Sequence, residues 1–128
     1  MKLIRNFVTA IAATLASSTL LAAELAGYWK HDDQPTWIEI QVEDGAGIGT
    51  VRRNDDKPDA VGRVMLKDVV SDGGKPGQWQ GQVYAARLEE FKDAEITLPT
   101  PAQMQFTVKV GFMSRTVTWT RVDSVPTE

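Results

Sequence analysis

The chain has 128 residues, of which 42% are hydrophobic and 24% charged, and this length and composition are typical of one globular domain. Its formal net charge of −3 excludes a broad basic surface for nucleic acid. The absence of cysteine excludes disulfides, thiolate metal sites and a cysteine nucleophile, and a single histidine leaves little room for imidazole catalysis or a multi-histidine metal site.

The first 23 residues have the organisation of a bacterial secretory signal peptide. Lys2 and Arg5 form a short positive region, and the stretch Phe7–Leu21 is uncharged and mostly apolar. The small residues Ala22 and Ala23 follow, and we predict cleavage after Ala23 or one residue earlier. The apolar stretch is shorter than the roughly 20 residues that a transmembrane helix needs. We therefore expect a single mature domain at residues 24–128, with 12 basic and 17 acidic residues and a net charge of −5, located in the periplasm or secreted.

Alternation of apolar and polar residues with a period of two dominates the mature chain. It is clearest in Thr36–Val42, Gln103–Phe112 and Arg115–Val122, and it is typical of antiparallel strands with one buried face. Weaker strand patterns cover Gly27–Lys30, Ile48–Arg53, Val61–Val70, Gln78–Tyr84 and Ala94–Leu98. The segment Ala85–Lys92 fits either a short helix or a continued strand and loop.

Turn-forming segments separate these strands at hairpin spacing, for example Asp44-Gly45 and the polar stretches at residues 54–59 and 72–77. About eight short strands in sequence predict an all-β, antiparallel up-and-down meander. We expect it to close into a small lipocalin-like barrel, because closure removes the two exposed sheet edges. A barrel of eight strands is either filled by side chains or holds one small ligand.

The first and last strands carry residues that suit this closure. Gly27 and Trp29 open the domain, and Trp119 and Arg121 end it. Closure brings these strands together, so a guanidinium can lie over an indole face, a contact that stabilises by ~0.5–2 kcal/mol. We predict that the four residues close one end of the barrel. The alternative is that Arg121 anchors an anionic ligand.

Several ordered motifs resemble one family. They are Gly27-Tyr28-Trp29 near the start, Gly81-Gln82-Val83-Tyr84 in the middle and Thr116-Val117-Thr118-Trp119-Thr120-Arg121 at the end. Together they resemble the bacterial secreted domain of unknown function 2147. The resemblance implies a small β-barrel of lipocalin-like shape behind a signal peptide. It brings no established activity, so it bears on the fold and not on the function.

The barrel favours the binding of a small or lipid-like hydrophobic ligand in its mouth, by a monomer of the cell envelope without cofactor, metal or nucleic acid. Trp37 is either part of the ligand site or a surface aromatic residue that a loop covers. Trp79 is either part of the ligand site or a core residue. An envelope accessory protein with a filled barrel and a protein partner is the second hypothesis, and a hydrolase is the least favoured. The candidate mouth-lining residues are Trp37, Trp79, Tyr84, Phe106, Phe112 and Arg115.

Other polar motifs favour plain surface roles. His31-Asp32-Asp33 fits a solvated turn better than a metal site, which needs three or four converging ligands. No spacing supports a catalytic triad built on His31 with Ser71 or Ser114. Arg52-Arg53 is expected on a solvated edge strand, where positive charge blocks pairing with another chain.

Overall fold

A computed structural model describes residues 23–73 and 75–127, and the predicted signal peptide, apart from Ala23, lies outside them. Within these residues the chain forms eight strands and a short 3-10 helix, Pro58–Ala60. The strands are β1 (Gly27–His31), β2 (Thr36–Glu43), β3 (Ala46–Asn54), β4 (Val64–Ser71), β5 (Gln78–Ala85), β6 (Glu90–Thr100), β7 (Gln103–Val110) and β8 (Met113–Val122).

Each strand pairs antiparallel with its neighbours in sequence, and β1 pairs with β8, so the sheet closes into an up-and-down barrel. The predicted fold is thereby confirmed. The prediction of an edge strand for Arg52 and Arg53 was wrong, because closure gives β3 two partners, β2 and β4. Both arginines instead form ion pairs outside the barrel, with Glu39 at 3.0 Å and Asp55 at 2.7 Å respectively.

The segment Ala85–Lys92 adopts the strand-and-loop alternative. Strand β5 ends at Ala85, β6 begins at Glu90, and the turn between them is closed by a hydrogen bond from Leu88 N–H to the Ala85 carbonyl. Glu89 has a φ of 53°, a left-handed conformation that ends a helical turn. The apolar residues of this segment therefore belong to two strands and a tip.

One apolar cluster fills most of the barrel interior. Its largest fully buried side chains are Trp29, Trp79, Trp119 and Phe106, which alternate with outward residues along their strands. Gly81 on β5 makes this packing possible. A Cβ there would lie 2.9 Å from a methyl carbon of Val69 and 3.1 Å from a backbone carbonyl oxygen of β4, so only glycine lets the two strands approach.

The two ends of the barrel differ. We call the end that carries the N-terminal segment 23–26 and the β2–β3, β4–β5 and β6–β7 turns the closed end; Leu25, 1% exposed, packs into the core there. The opposite end, with the other four connections, is the open end. Strand β1 has five residues and β8 has ten, and β1 pairs only with Trp119–Val122. In the described chain the Met113–Val117 half of β8 therefore pairs only with β7, and the wall is lower on that side.

Candidate functional site

The inner surface changes from buried to partly exposed side chains toward the open end, and we call this region the mouth. The inward direction of each residue follows from its strand: Lys92 shares a face with buried Ala94, and Arg115 shares a face with buried Trp119. The mouth thus combines an apolar wall with a partly cationic rim. Its residues are His31, Val83, Lys92, Val108, Arg115 and Val117.

His31 lies at the base of the mouth, at the end of β1. Its Nδ1 accepts hydrogen bonds from the backbone N–H groups of Asp33, at 3.0 Å, and Gln34, at 3.1 Å. An imidazole nitrogen can accept only when it carries no proton, so this geometry requires a neutral ring with its proton on Nε2. The ring meets Trp119 edge-on, with 4.9 Å between centroids.

The surroundings of His31 favour the same neutral form. Burial lowers the pKa of His31 below its usual 6.5, and the nearby charges of Lys30 and Arg115 lower it further. Asp33 and Asp32 act in the opposite direction and raise the pKa, but burial is the largest effect. Protonation of Nδ1 would also remove the acceptor that holds the β1–β2 turn.

We expect the stability of the fold to decrease as the pH falls below about 6.5. In this range the unfolded chain binds a proton at His31 more readily than the folded chain, so the contribution of neutral His31 is present above the unfolded pKa and is lost as the pH falls through the folded pKa. Urea unfolding between pH 5 and 7.5 measures the slope. The variant His31→Asn, whose amide oxygen can accept the same hydrogen bonds without titrating, should flatten it.

Because His31 is the sole histidine, its ring proton resonances report its pKa without ambiguity. A midpoint at or above 6.5 in the folded protein, or an unchanged slope in His31→Asn, would contradict the assignment.

Trp119 places a buried hydrogen-bond donor, its indole N–H, below the mouth. Its side chain is 2% exposed, and its indole N–H is buried without a hydrogen-bond acceptor among the described residues. The indole of Trp29, in contrast, donates to the Leu25 carbonyl at 2.9 Å. A buried donor without an acceptor costs about 1–3 kcal/mol. The base of the mouth therefore holds a donor that an added acceptor would stabilise.

Arg121 lies at the closed end and makes contacts of a structural kind. Its guanidinium carbon lies 4.3 Å from the centroid of the Trp29 ring, and its N–H groups donate to the carbonyls of Ala26 at 2.8 Å, Glu24 at 2.7 Å and Pro101 at 3.0 Å. These contacts tie the N-terminal segment, the β6–β7 turn and β8 together.

Gly27 is part of the same arrangement. It has a φ of +130°, and a Cβ at this position would lie 2.9 Å from Nη1 of Arg121. Only glycine combines this backbone conformation with the space that the guanidinium occupies. Trp119, predicted in the same group, precedes Arg121 on β8 and lies nearer the open end, where its ring contacts those of His31 and Phe106.

Neither a protein-family model nor a curated protein matches the chain. Among solved structures, the chain is similar to protein HP1028 from Helicobacter pylori, described as belonging to the lipocalin family, with a TM-score of 0.60, 18% identity, and coverage of 78% of this chain and 84% of that one. It is also similar to a redesigned β-barrel, with a TM-score of 0.51, 19% identity, and coverage of 80% and 96% respectively. The fold is lipocalin-like. At these identities the likeness concerns the fold alone, and the resemblance to the domain of unknown function 2147 stays a prediction.

In this lipocalin-like barrel the six predicted ligand residues do not form one group. Trp79 and Phe106 are 2% and 1% exposed and belong to the core. Tyr84 lies on the outer face, where its ring packs edge-on against Phe91. Phe112 lies in the turn between β7 and β8 and is fully exposed. Arg115 lies in the mouth.

Trp37, the sixth predicted residue, faces outward but is only 8% exposed. Lys30 and Arg53 cover its ring from the neighbouring strands, at 5.5 Å and 5.1 Å from the centroid. Arg53 is itself held by Asp55 and by the Pro126 carbonyl of the C-terminal segment. Trp37 is therefore a covered aromatic residue on the outer face of the barrel, and it does not line the mouth. The sequence suggested that a loop covers Trp37, whereas in the structure side chains of β1 and β3 cover it.

A second concave surface lies on strands β5 to β7. It is an open groove of about 550 Å³, and all but one of its lining residues are charged or polar, which suits it poorly to enclosing a hydrophobic ligand. Its lining residues are Gln80, Lys92, Asp93, Ala94, Glu95, Thr107 and Lys109.

Residues 23–73 and 75–127 contain neither a cluster of metal-binding side chains nor a helix that could span a membrane. No group of three or more histidine, aspartate or glutamate side chains converges there as a metal site. Over the same residues no helix is long and apolar enough to cross a membrane.

Proposed function

We propose that this protein is a secreted, non-enzymatic protein of the cell envelope that binds a small lipid-like molecule at the mouth of its barrel. The observation that carries the proposal is the buried indole N–H of Trp119, which has no acceptor among residues 23–73 and 75–127 and lies at the base of an apolar, partly exposed wall. A ligand with an oxygen acceptor and an apolar body would satisfy the donor and cover the wall together.

The packing of the interior defines what kind of ligand fits. Trp29, Trp79 and Phe106 occupy the middle and the closed end, so a long chain cannot pass through the barrel. Binding would instead be shallow, against Val83, Val108 and Val117. The lipocalin-like fold supports this class of function, because one of the two kinds of small eight-stranded barrel holds a ligand at its open end.

Secretion is part of the proposal and rests on the sequence of residues 1–23. Cleavage after Ala23 would leave Glu24 as the first residue. The carbonyls of Glu24 and Ala26, which accept hydrogen bonds from Arg121, would both be retained. We include membership of the domain of unknown function 2147 family in the proposal on the strength of the motifs alone.

A second candidate function is an envelope accessory protein that recognises a protein partner. The filled core favours it, because a barrel packed by several large aromatic residues needs no ligand for stability. In that case the mouth wall would be too shallow for a lipid-like molecule to bind with measurable affinity.

Titration with cis-parinaric acid, a fluorescent fatty acid, distinguishes the two. We expect saturable binding to the wild-type protein and binding weakened about tenfold by Trp119→Phe, which keeps an aromatic ring but removes the N–H donor. The matched control is Trp37→Phe, the same change on the outer face, which should bind as wild type does. Absence of binding to the wild type, or equal loss in both variants, would refute the mouth site and favour the protein-partner function.

A further inference from the structure

Exposed apolar side chains concentrate at the open end of the barrel. In the described chain, every large hydrophobic side chain classed as exposed lies there except Val70, which is near the closed end of β4. Large exposed apolar groups that adjoin one another mark contact with something other than water, and among these residues only those of the β7–β8 hairpin are neighbours in sequence. The six residues are Val61, Val64, Leu88, Val110, Phe112 and Met113.

The most exposed of these residues lie at the tip of the β7–β8 hairpin. Phe112 is fully exposed, Met113 is 67% exposed and Val110 is 50% exposed. Gly111, with a φ of 64°, makes the turn that presents Phe112 at its end. Because the first half of β8 pairs only with β7 in the described chain, the tip stands beyond the wall that β1 forms.

The charge around the tip is opposite to that of the protein. The chain has a net charge of −3, yet it contains no acidic residue between Glu95 and Asp123. Lys109 and Arg115 flank the tip within three residues of Phe112 on each side. The neighbouring β5–β6 turn carries one acidic residue, Glu89, and Glu90 at the start of β6 is paired with Lys92 at 2.7 Å.

We propose that the β7–β8 tip docks on the surface of a bilayer that contains anionic phospholipids. Phe112 and Met113 enter the interfacial region, and Lys109 and Arg115 contact the phosphate groups. Apolar residues flanked by cations are the chemistry that recognises such a surface. A narrow, projecting tip suits insertion between headgroups better than it suits a protein interface, which needs about 800 Å² from each partner.

The remaining connections of the open end set the orientation. The β1–β2 turn carries Asp32 and Asp33, and the β3–β4 connection carries three further aspartates, which an anionic surface repels. The barrel therefore tilts so that the β7–β8 side meets the bilayer. In this orientation the low wall beside β8 opens along the membrane surface. This docking does not depend on the proposed ligand site and is tested without it.

Sedimentation with vesicles tests the docking. We expect the wild-type chain to bind vesicles of phosphatidylglycerol and phosphatidylethanolamine, to bind pure phosphatidylcholine vesicles much less, and to lose binding as salt is raised. Phe112→Ser should weaken the binding about tenfold or more, and Lys109→Gln about fivefold. The matched control is Val70→Ser, which changes a residue that is 47% exposed at the other end and should bind as wild type does.

Three results would overturn the proposal: no binding of the wild type to phosphatidylglycerol vesicles, undiminished binding of Phe112→Ser, or an equal loss in Val70→Ser. Self-association of the wild type that Phe112→Ser abolishes, without vesicle binding, would assign the tip to a second copy of the chain instead. Binding of cis-parinaric acid without vesicles is a separate readout, so failure of one proposal does not imply failure of the other.

Discussion

Replacing Trp29 with alanine is expected to lower the free energy of unfolding by about 3–5 kcal/mol, the loss typical of removing a large buried aromatic side chain. Trp29 is 0% exposed and lies on the shortest strand, where β1 joins β8. Its indole N–H donates to the Leu25 carbonyl, and its ring carries the guanidinium of Arg121. The substitution therefore leaves a cavity and frees the segment that covers the closed end.

Urea unfolding followed by tryptophan fluorescence measures this loss. Phe112→Ala, which truncates a fully exposed aromatic residue, is the control and should change the stability by less than about 0.5 kcal/mol. Trp29→Phe should lie between the two, because it keeps a ring but loses the hydrogen bond to Leu25. A Trp29→Ala variant that unfolds within 1 kcal/mol of the wild type would show that the closed end does not need this residue.

The architecture could be predicted from the sequence for two reasons. A half-buried strand must alternate apolar and polar residues, and a sheet of such strands has two exposed edges that closure into a barrel removes. Each strong alternating segment, such as Arg115–Val122, became a strand, and the inward face of β8 follows directly from Val117 and Trp119. The meeting of Trp29 with Arg121 depends on the same reasoning, since only closure places the first strand beside the last.

The site could be predicted less well, because alternation does not say where a strand ends or what covers its outer face. Phe112 continues the apolar face of β7 in the sequence, but the chain turns at Gly111 and places the ring in solvent. Trp37 shares its face with polar residues, and its cover of Lys30 and Arg53 exists only because β1 and β3 flank β2. Both outcomes depend on neighbours that are distant in sequence.

The indole N–H of Trp119 is a third group whose surroundings could not be predicted from the sequence. Its burial could be predicted from the alternation of β8, but whether a buried indole N–H finds an acceptor depends on the rotamers of all its neighbours. The same holds for His31, whose neutral form follows from two backbone N–H groups of the turn that it begins. The sequence therefore indicated a barrel with a mouth, and in the structure the side chains at that mouth are His31, Arg115, Lys92 and three valines, with Trp119 below them.

The two ends of the barrel divide its roles. At the closed end, buried hydrogen bonds and aromatic packing join the N-terminal segment to β1 and β8. Toward the open end, the hairpin tip is exposed and the Trp119 indole N–H has no acceptor within the described part of the chain. Buried hydrogen bonds and ring contacts are thus numerous where β1 meets β8 at the closed end. Substitutions at the closed end should act on unfolding, and those at the open end on binding.

Arg121→Ala tests that division, and we expect it to lower the free energy of unfolding by about 2–3 kcal/mol. This loss of unfolding free energy comes from the charge-assisted hydrogen bonds and from the contact over Trp29. It is smaller than for a fully buried arginine because solvent reaches part of the side chain. Arg121→Lys should recover less than half of the loss, because an ammonium cannot reach three carbonyls and lie flat on an indole at once.

The control is Arg52→Ala, which removes a 41%-exposed guanidinium paired with Glu39 and should cost less than about 1 kcal/mol. Similar unfolding of Arg121→Ala and Arg52→Ala would contradict the structural role. If, in addition, Arg121→Ala lost the binding of cis-parinaric acid, Arg121 would be an anchor for the carboxylate of the ligand. Reduced stability with retained binding would place the role of Arg121 in the closure of the barrel, because its guanidinium lies at the end opposite to the mouth.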